Sequence, residues 1–204
     1  MRYAYLIGSN GPSEAGRLRY AQPDAARLAR VLGEPACGFS TTLAGTKDSA
    51  SLIRDKLYAL VESCSLDDVL LCAFSGHGIL EAGELYLLLE TTDLSRLLAT
   101  SLGIVDIVRA IHYCKAKSKL LILDCCHAGA VTSMLGLRGA EGVPFEEVGV
   151  PKEHFLILMA SGRLERAREL RRLGAGFLTD TIVKALKNNR EIADTDHERD
   201  ISRR

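Results

Sequence analysis

The chain has 204 residues, 47% of them hydrophobic, which is enough material for a substantial buried core in one domain. Its 26 basic and 26 acidic side chains cancel, so nothing in the charge suggests the electrostatic footprint of a nucleic-acid-binding surface, and no nucleic-acid partner is expected. No apolar run reaches membrane-spanning length, and Met1–Ile7 meets Gly8 too soon for a secretory core, so the expected setting is the cytoplasm, without membrane.

Alternating strand and helix signals then follow in chain order. Tyr3–Ile7 predicts a short apolar strand, and Gly8–Gln22 a polar loop rich in Gly and Ser. Pro23-Asp24-Ala25 opens a helix through about Leu32, with Asp24 in the first turn, where the helix dipole favours a carboxylate. Phe39–Leu43 predicts a strand. Asp48–Cys64 predicts a helix, with Ile53, Leu57, Leu60, Val61 and Cys64 on one face. Val69–Phe74 is the next strand, followed by a hairpin-like Ile79–Glu84 and an apolar Leu85–Leu89. Ile104, Ile107, Val108 and Ile111 form another amphipathic face before a strand at Leu120. Beyond Gly129, the breakers Gly136, Gly139, Gly142, Pro144, Gly149 and Pro151 mark a long exposed linker. Phe155–Ala160 predicts a strand, Arg163–Arg172 an Arg/Glu-rich segment, Gly176–Asn188 a helix and Asn189–Arg204 a charged tail. This β-α-β-α order predicts an α/β fold with a mainly parallel sheet flanked by helices.

Two strands carry the chemistry. Lys119-Leu120-Leu121-Ile122-Leu123 reads as buried on both faces and ends in Asp124-Cys125-Cys126-His127-Ala128-Gly129. Asp68-Val69-Leu70-Leu71-Cys72-Ala73-Phe74 ends in Ser75-Gly76-His77-Gly78. Sites in open α/β sheets form beyond the carboxyl ends of strands, so a thiol and an imidazole are expected to meet there. A Cys/His pair is the minimum equipment for thiolate catalysis. The remaining cysteines, Cys37, Cys64, Cys72 and Cys114, are expected to be reduced and to serve as small core hydrophobes. A zinc site from Cys125, Cys126, His127 and His77 is disfavoured, because adjacent thiols suit a tetrahedron poorly and no C-x₂-C spacing exists.

Ser75-Gly76-His77-Gly78 and Asp124-Cys125-Cys126-His127-Ala128-Gly129 resemble the two active-site blocks of the caspase-like cysteine peptidases, above all the metacaspase and prokaryotic-caspase branch. His77 and Cys126 lie 49 residues apart, close to the family's separation of about 50. Gly8, Pro23-Asp24-Ala25 and Gly176-Phe177-Leu178-Thr179 also sit where that family places similar residues, so the resemblance spans essentially the whole chain. It implies a caspase-like three-layer sandwich forming a single peptidase domain over 1–204. Residues 1–129 would be the large-subunit-like part, 130–153 the linker and 154–204 the small-subunit-like part, with effector or sensor domains beyond.

The resemblance further implies that Cys126 is the nucleophile and His77 the general base, with the backbone N–H groups of Cys126 and Gly78 as oxyanion hole. Alternation along a strand end points Cys125 and Cys126 opposite ways, so Cys125 is expected to pack inward. His127 is read as a packing or supporting residue rather than a catalytic one. By the same resemblance Asp24, Asp124 and Ser75 would line a pocket for a P1 Arg or Lys. Two carboxylates suit a guanidinium through charge-assisted hydrogen bonds. Ala21 departs from the family, which often has Cys there. The bland rivals are a plain helix-start role for Asp24 and a strand-end turn cap for Asp124.

The expected function is a cysteine endopeptidase that performs limited proteolysis of protein substrates after Arg or Lys, in a regulatory or defence pathway. One alternative is a catalytically silent scaffold; another is a peptidase with an acidic P1 preference, its pocket served by Arg17 and Arg19. Arg138, flanked by Gly136 and Gly139, is the candidate self-cleavage site, ahead of Lys152. No cofactor or metal is required by the sequence. Some metacaspases need calcium, but Asp194-Thr195-Asp196 lacks the Gly and terminal Glu of a calcium loop.

Overall fold

The computed structural model describes residues 1–128, 154–160, 176 and 178–187. The linker at 130–153 with Arg138 and Lys152, the Arg/Glu-rich segment and the charged tail with Asp194 and Asp196 therefore lie outside the described residues.

Segments at the predicted places form a five-stranded sheet. Its strands are β1 (Arg2–Gly8), β2 (Ser40–Leu43), β3 (Val69–Gly76), β7 (Ser118–Cys125) and β8 (His154–Met159), in the order β2-β1-β3-β7-β8. All four pairings are parallel. The three central strands bury both faces, which is why they read as continuous rather than alternating hydrophobic runs. Edge strand β2 is exposed along its length and is correspondingly polar, with Ser40, Thr41 and Thr42.

A second, antiparallel sheet joins β4 (Gly78–Glu81), β5 (Glu84–Leu87) and β6 (Leu102–Gly103). The predicted hairpin is its β4–β5 arm, closed by the two-residue turn Ala82-Gly83. Both turn residues have positive φ, 50° and 84°, as a type I′ turn demands.

Helices cover both faces of the main sheet. Helix α1 (Ala21–Gly33) buries Leu28, Val31 and Leu32 against Ala4, Leu6, Leu71, Ala73 and Ile122. The helix at 178–187 lies on the same face through Leu178, Ile182, Val183 and Leu186. On the other face α2 (Ala50–Ser63) and α4 (Ile104–Tyr113) pack on Tyr5, Ile7, Cys72, Phe74, Leu121 and Leu123. A one-turn helix α3 (Leu97–Thr100) connects the small sheet, and the 178–187 helix is α5. The result is the three-layer α/β sandwich that the sequence predicts. Burying each Leu, Ile or Phe side chain stabilises it by about 1.5–3 kcal/mol.

Some boundaries differ from expectation. Helix α1 begins at Ala21, two residues before Pro23, because proline is tolerated in a first turn whose amides need no partner within the helix. Helix α2 starts at Ala50, since Ser49 caps it, its Oγ accepting from the Leu52 amide at 3.2 Å. Cys64, Cys72 and Cys114 are core residues as expected, and burial next to Cys114 pushes the Cys64 thiol up to about 12. Cys37 is not: it follows α1 on a turn and is only half-buried.

One core group is out of balance. Tyr5 is buried, and among the described residues its hydroxyl has no hydrogen-bond partner. Its phenol pKa is driven upward, chiefly by burial. Tyr5→Phe should therefore raise the unfolding free energy by about 1 kcal/mol, measured by urea denaturation. A loss of stability would mean that the hydroxyl is satisfied after all.

Candidate active site

Strands β3 and β7 are neighbours in parallel register, with Ser75 opposite Asp124 and Gly76 opposite Cys125. Both therefore end at the same edge of the sheet, and the next residues in each chain segment are His77 and Cys126. The two blocks touch at Gly78. A Cβ added there would lie 2.4 Å from the Cys126 carbonyl oxygen and 3.3 Å from Cys125 Sγ, so only glycine permits the approach. The fold thus brings the His-Gly and Cys-Cys-His motifs together.

The two adjacent thiols differ sharply. Cys125 is 0% exposed inside the core, and its thiol is pushed well up by burial, with Cys126 and Asp124 adding in the same direction. Such a thiol is inert. Cys126 lies just past the strand end and is half-buried. His127 follows with φ 61°, a left-handed conformation uncommon for a non-glycine residue, and turns the chain sharply beside Cys126. His127 is exposed, so the expectation that it packs is corrected. What it contributes here is the backbone turn.

His77 is fixed by the loop between β1 and α1. Its Nε2 lies 2.7 Å from the Gly16 carbonyl oxygen. A carbonyl only accepts, so Nε2 carries a proton and Nδ1 is the ring nitrogen able to take one. Gly11, at φ 77°, lies against the ring; a Cβ there would come within 2.6 Å of Cδ2. The loop is anchored by Ser9 N donating to the Ser75 carbonyl at 3.0 Å and Gly11 N donating to Ser9 Oγ at 3.1 Å. In the sequence, Gly11 and Gly16 belong only to a polar loop rich in Gly and Ser. Their signal was the glycine spacing, which without a partner residue points nowhere.

Asp24 and Asp124 converge on one segment of the C-terminal part. Gly8 lets the first turn of α1 lie on the end of β1, where a Cβ would strike the Ala21 carbonyl and Ala25 at 2.6 Å. This places Asp24, 2% exposed, at the sheet edge. Its Oδ2 accepts from the Gly176 amide at 2.5 Å and its Oδ1 from Arg27 Nη2 at 3.1 Å. Burial pushes its carboxyl pKa up; the Gly176 amide and Arg27 oppose this, and Asp124 and Asp180 reinforce it. Asp124 Oδ2 accepts from the Thr179 amide at 3.0 Å and from Thr179 Oγ1 at 2.8 Å. Arg27 also reaches Asp180 at 3.2 Å, and Asp180 holds Lys184 at 2.7 Å. Asp24 does stand in the first turn of α1, as the plain helix-start reading has it, whereas among the described residues Asp124 accepts from Thr179 and from no strand-end amide. Ser75 is buried beside Asp124 in register.

Asp180 carries no signal in the sequence, and Thr179 enters there only within the Gly176–Thr179 stretch of the family resemblance, because the roles of both depend on contacts across 55 residues or more. Arg17, weighed for an acidic-P1 pocket, pairs with Glu90 at 3.1 Å and is largely exposed. Among the described residues, no three His, Cys, Asp or Glu side chains gather as a metal ion requires, and no helix is long and apolar enough to cross a membrane.

None of the curated proteins matches the chain. The crystal structure of a Geobacter sulfurreducens protein solved as a structural-genomics target is similar at 20% identity and a TM-score of 0.49, over 73% of this chain and 59% of that one. The chain therefore matches 59% of the length of that relative. The model of the caspase domain matches residues 1–201, nearly the entire sequence, and the chain accordingly belongs to the caspase-domain family of cysteine peptidases.

Proposed function

We propose that this chain is an endopeptidase that cleaves after Arg or Lys through Cys126 and His77. The observation that carries this reading is the convergence of the two blocks at Gly78, with Asp24 and Asp124 at the same sheet edge. Cys126 Sγ attacks the scissile carbonyl carbon as thiolate, and His77 takes up the thiol proton and returns it to the leaving amine. The backbone amides of Gly78 and Cys126 stabilise the oxyanion of the tetrahedral intermediate. Water then cleaves the thioester and frees the thiol. The carboxylates of Asp24 and Asp124, with Ser75 beside them, receive the basic P1 side chain.

The protein partner is a substrate cut at few sites, in a regulatory or defence pathway of the cytoplasm, with effector or sensor domains attached to the longer protein. A pair of fluorogenic peptides that differ only in Arg or Asp at P1 tests the reading. Hydrolysis of the Arg peptide alone is expected. Preference for the Asp peptide would transfer the assignment to the acidic-P1 alternative, and hydrolysis of neither would favour a silent scaffold. A calcium titration of the same assay reads any metal dependence.

Self-processing is a further expected outcome. Arg138, between Leu137 and Gly139, is the best internal target for a basic pocket, because a glycine-flanked sequence offers little side-chain bulk to a cleft that takes its substrate in strand form. Intact mass of wild type and Cys126→Ala, incubated side by side, should give a fragment ending at Arg138 only with the active cysteine. Cutting elsewhere, or equally in both proteins, would refute it.

A further inference from the structure

The acids assigned to the P1 pocket are held from the far side of the linker. Gly176 lies between them: a Cβ there would stand 2.7 Å from Asp124 Oδ2 and 3.1 Å from Asp24 Oδ2. Its amide donates to Asp24 Oδ2, and Thr179 at the start of α5 donates twice to Asp124 Oδ2. Thr179 is buried, so both of its bonds are protected from water. Among the described residues Asp124 Oδ1 receives no hydrogen bond, whereas both oxygens of Asp24 are engaged. One carboxylate oxygen of the pair is thus left to meet an incoming cation.

We infer that Thr179 is a positioning residue for P1 specificity: by fixing Asp124 Oδ2 through its amide and hydroxyl, it presents Oδ1 to the substrate's basic side chain. Gly176 supports this by leaving room for both carboxylates. The inference rests on the basic-P1 reading above and adds a determinant from the C-terminal part. It makes the pocket a joint product of the segments on either side of the linker. A carboxylate with one oxygen pinned by two donors cannot rotate to pair with Arg27 or water, so it meets a guanidinium already oriented.

Thr179→Val keeps the side chain's shape and the amide bond but removes the hydroxyl donor, and Thr179→Ser restores the donor. Arg-P1 peptide kinetics on wild type and both variants, alongside the rate at which iodoacetamide alkylates Cys126, decide the matter. Thr179→Val should raise KM about tenfold, the loss of one hydrogen bond to a charged group, with kcat within about twofold. Thr179→Ser should return KM to near the wild-type value, and alkylation should be equal in all three. An unchanged KM in Thr179→Val, or equal impairment of both variants, would overturn the inference. So would a parallel fall in kcat and alkylation, which marks a merely structural role. If Thr179→Val does not fold, Gly176→Ala replaces it, with the same expected rise in KM at unchanged alkylation. Wild-type enzyme without Arg preference would defeat the basic-P1 reading itself, and this inference with it. Wild-type preference that survives the substitutions defeats the inference alone.

Discussion

Cys126→Ala is expected to abolish peptide hydrolysis, while Cys125→Ala keeps most of it. The thiolate is the attacking species, and the two thiols stand in opposite environments. Cys125 is buried in the core with its thiol pushed toward the neutral form, whereas Cys126 is half-buried just past the strand end, where Gly78 meets its carbonyl. His77→Ala should lower kcat by roughly 10²–10⁴-fold, the contribution of a positioned base. Because the pair acts as a unit, Cys126→Ala combined with His77→Ala should be no slower than Cys126→Ala alone. Iodoacetamide should label Cys126 well before Cys125, read by peptide mass. Rapid labelling of Cys125 with Cys126 spared would reverse the assignment, and full activity in His77→Ala would remove the dyad.

The environment of the thiols was partly readable in advance. Strand β7 is apolar on both faces, so its burial follows from composition; alternation sends Cys125 and Cys126 opposite ways, and the family resemblance says which of them packs inward. That the sheet is mainly parallel also follows from the β-α-β-α order. What sequence does not contain is register: that Ser75 falls opposite Asp124 is a property of the β3–β7 pairing, and it aligns the strand ends that lead into His77 and Cys126. The resemblance to caspase-like blocks supplied that pairing indirectly, through the spacing between the motifs.

Least legible were the residues that act through backbone atoms or by having no side chain. Gly16 offers His77 a carbonyl, and Gly11 leaves room for its ring. Neither residue type carries a chemical signature. Thr179 enters only through the family resemblance, and Arg27 carries no sequence signal of its own. Their roles emerge only where the first turn of α1, the end of β7 and the start of α5 meet. His127 misled for a related reason: an imidazole beside Cys126 invites a side-chain role, while the fold uses its left-handed backbone and leaves the residue exposed.

Asp124→Asn is expected to lower kcat/KM for an Arg-P1 peptide by about 10²-fold or more, since removing one charge of a desolvated pair costs on the order of 2–5 kcal/mol. The fold should survive, because an Asn side-chain oxygen still accepts from the Thr179 amide and hydroxyl. Asp24→Asn is expected to act more weakly, as Arg27 and the Gly176 amide already engage that carboxylate. Acidification gives an independent reading of the same pocket. The Asp24 pKa is raised, so on descent from neutral pH it takes up its proton sooner than an ordinary carboxyl of about 3.9. The pocket then loses negative charge, and KM for the Arg peptide should climb above the usual carboxylate range. For folding the sign is reversed: a raised pKa means the native state holds the proton more tightly than the unfolded chain, so this group favours the fold as pH falls. Asp24→Asn should flatten the KM limb, with the alkylation rate of Cys126 following its wild-type pH profile. Undiminished Arg preference in both variants would sink the acidic pocket, and a gain of Asp-P1 hydrolysis in Asp124→Asn would point to the opposite specificity.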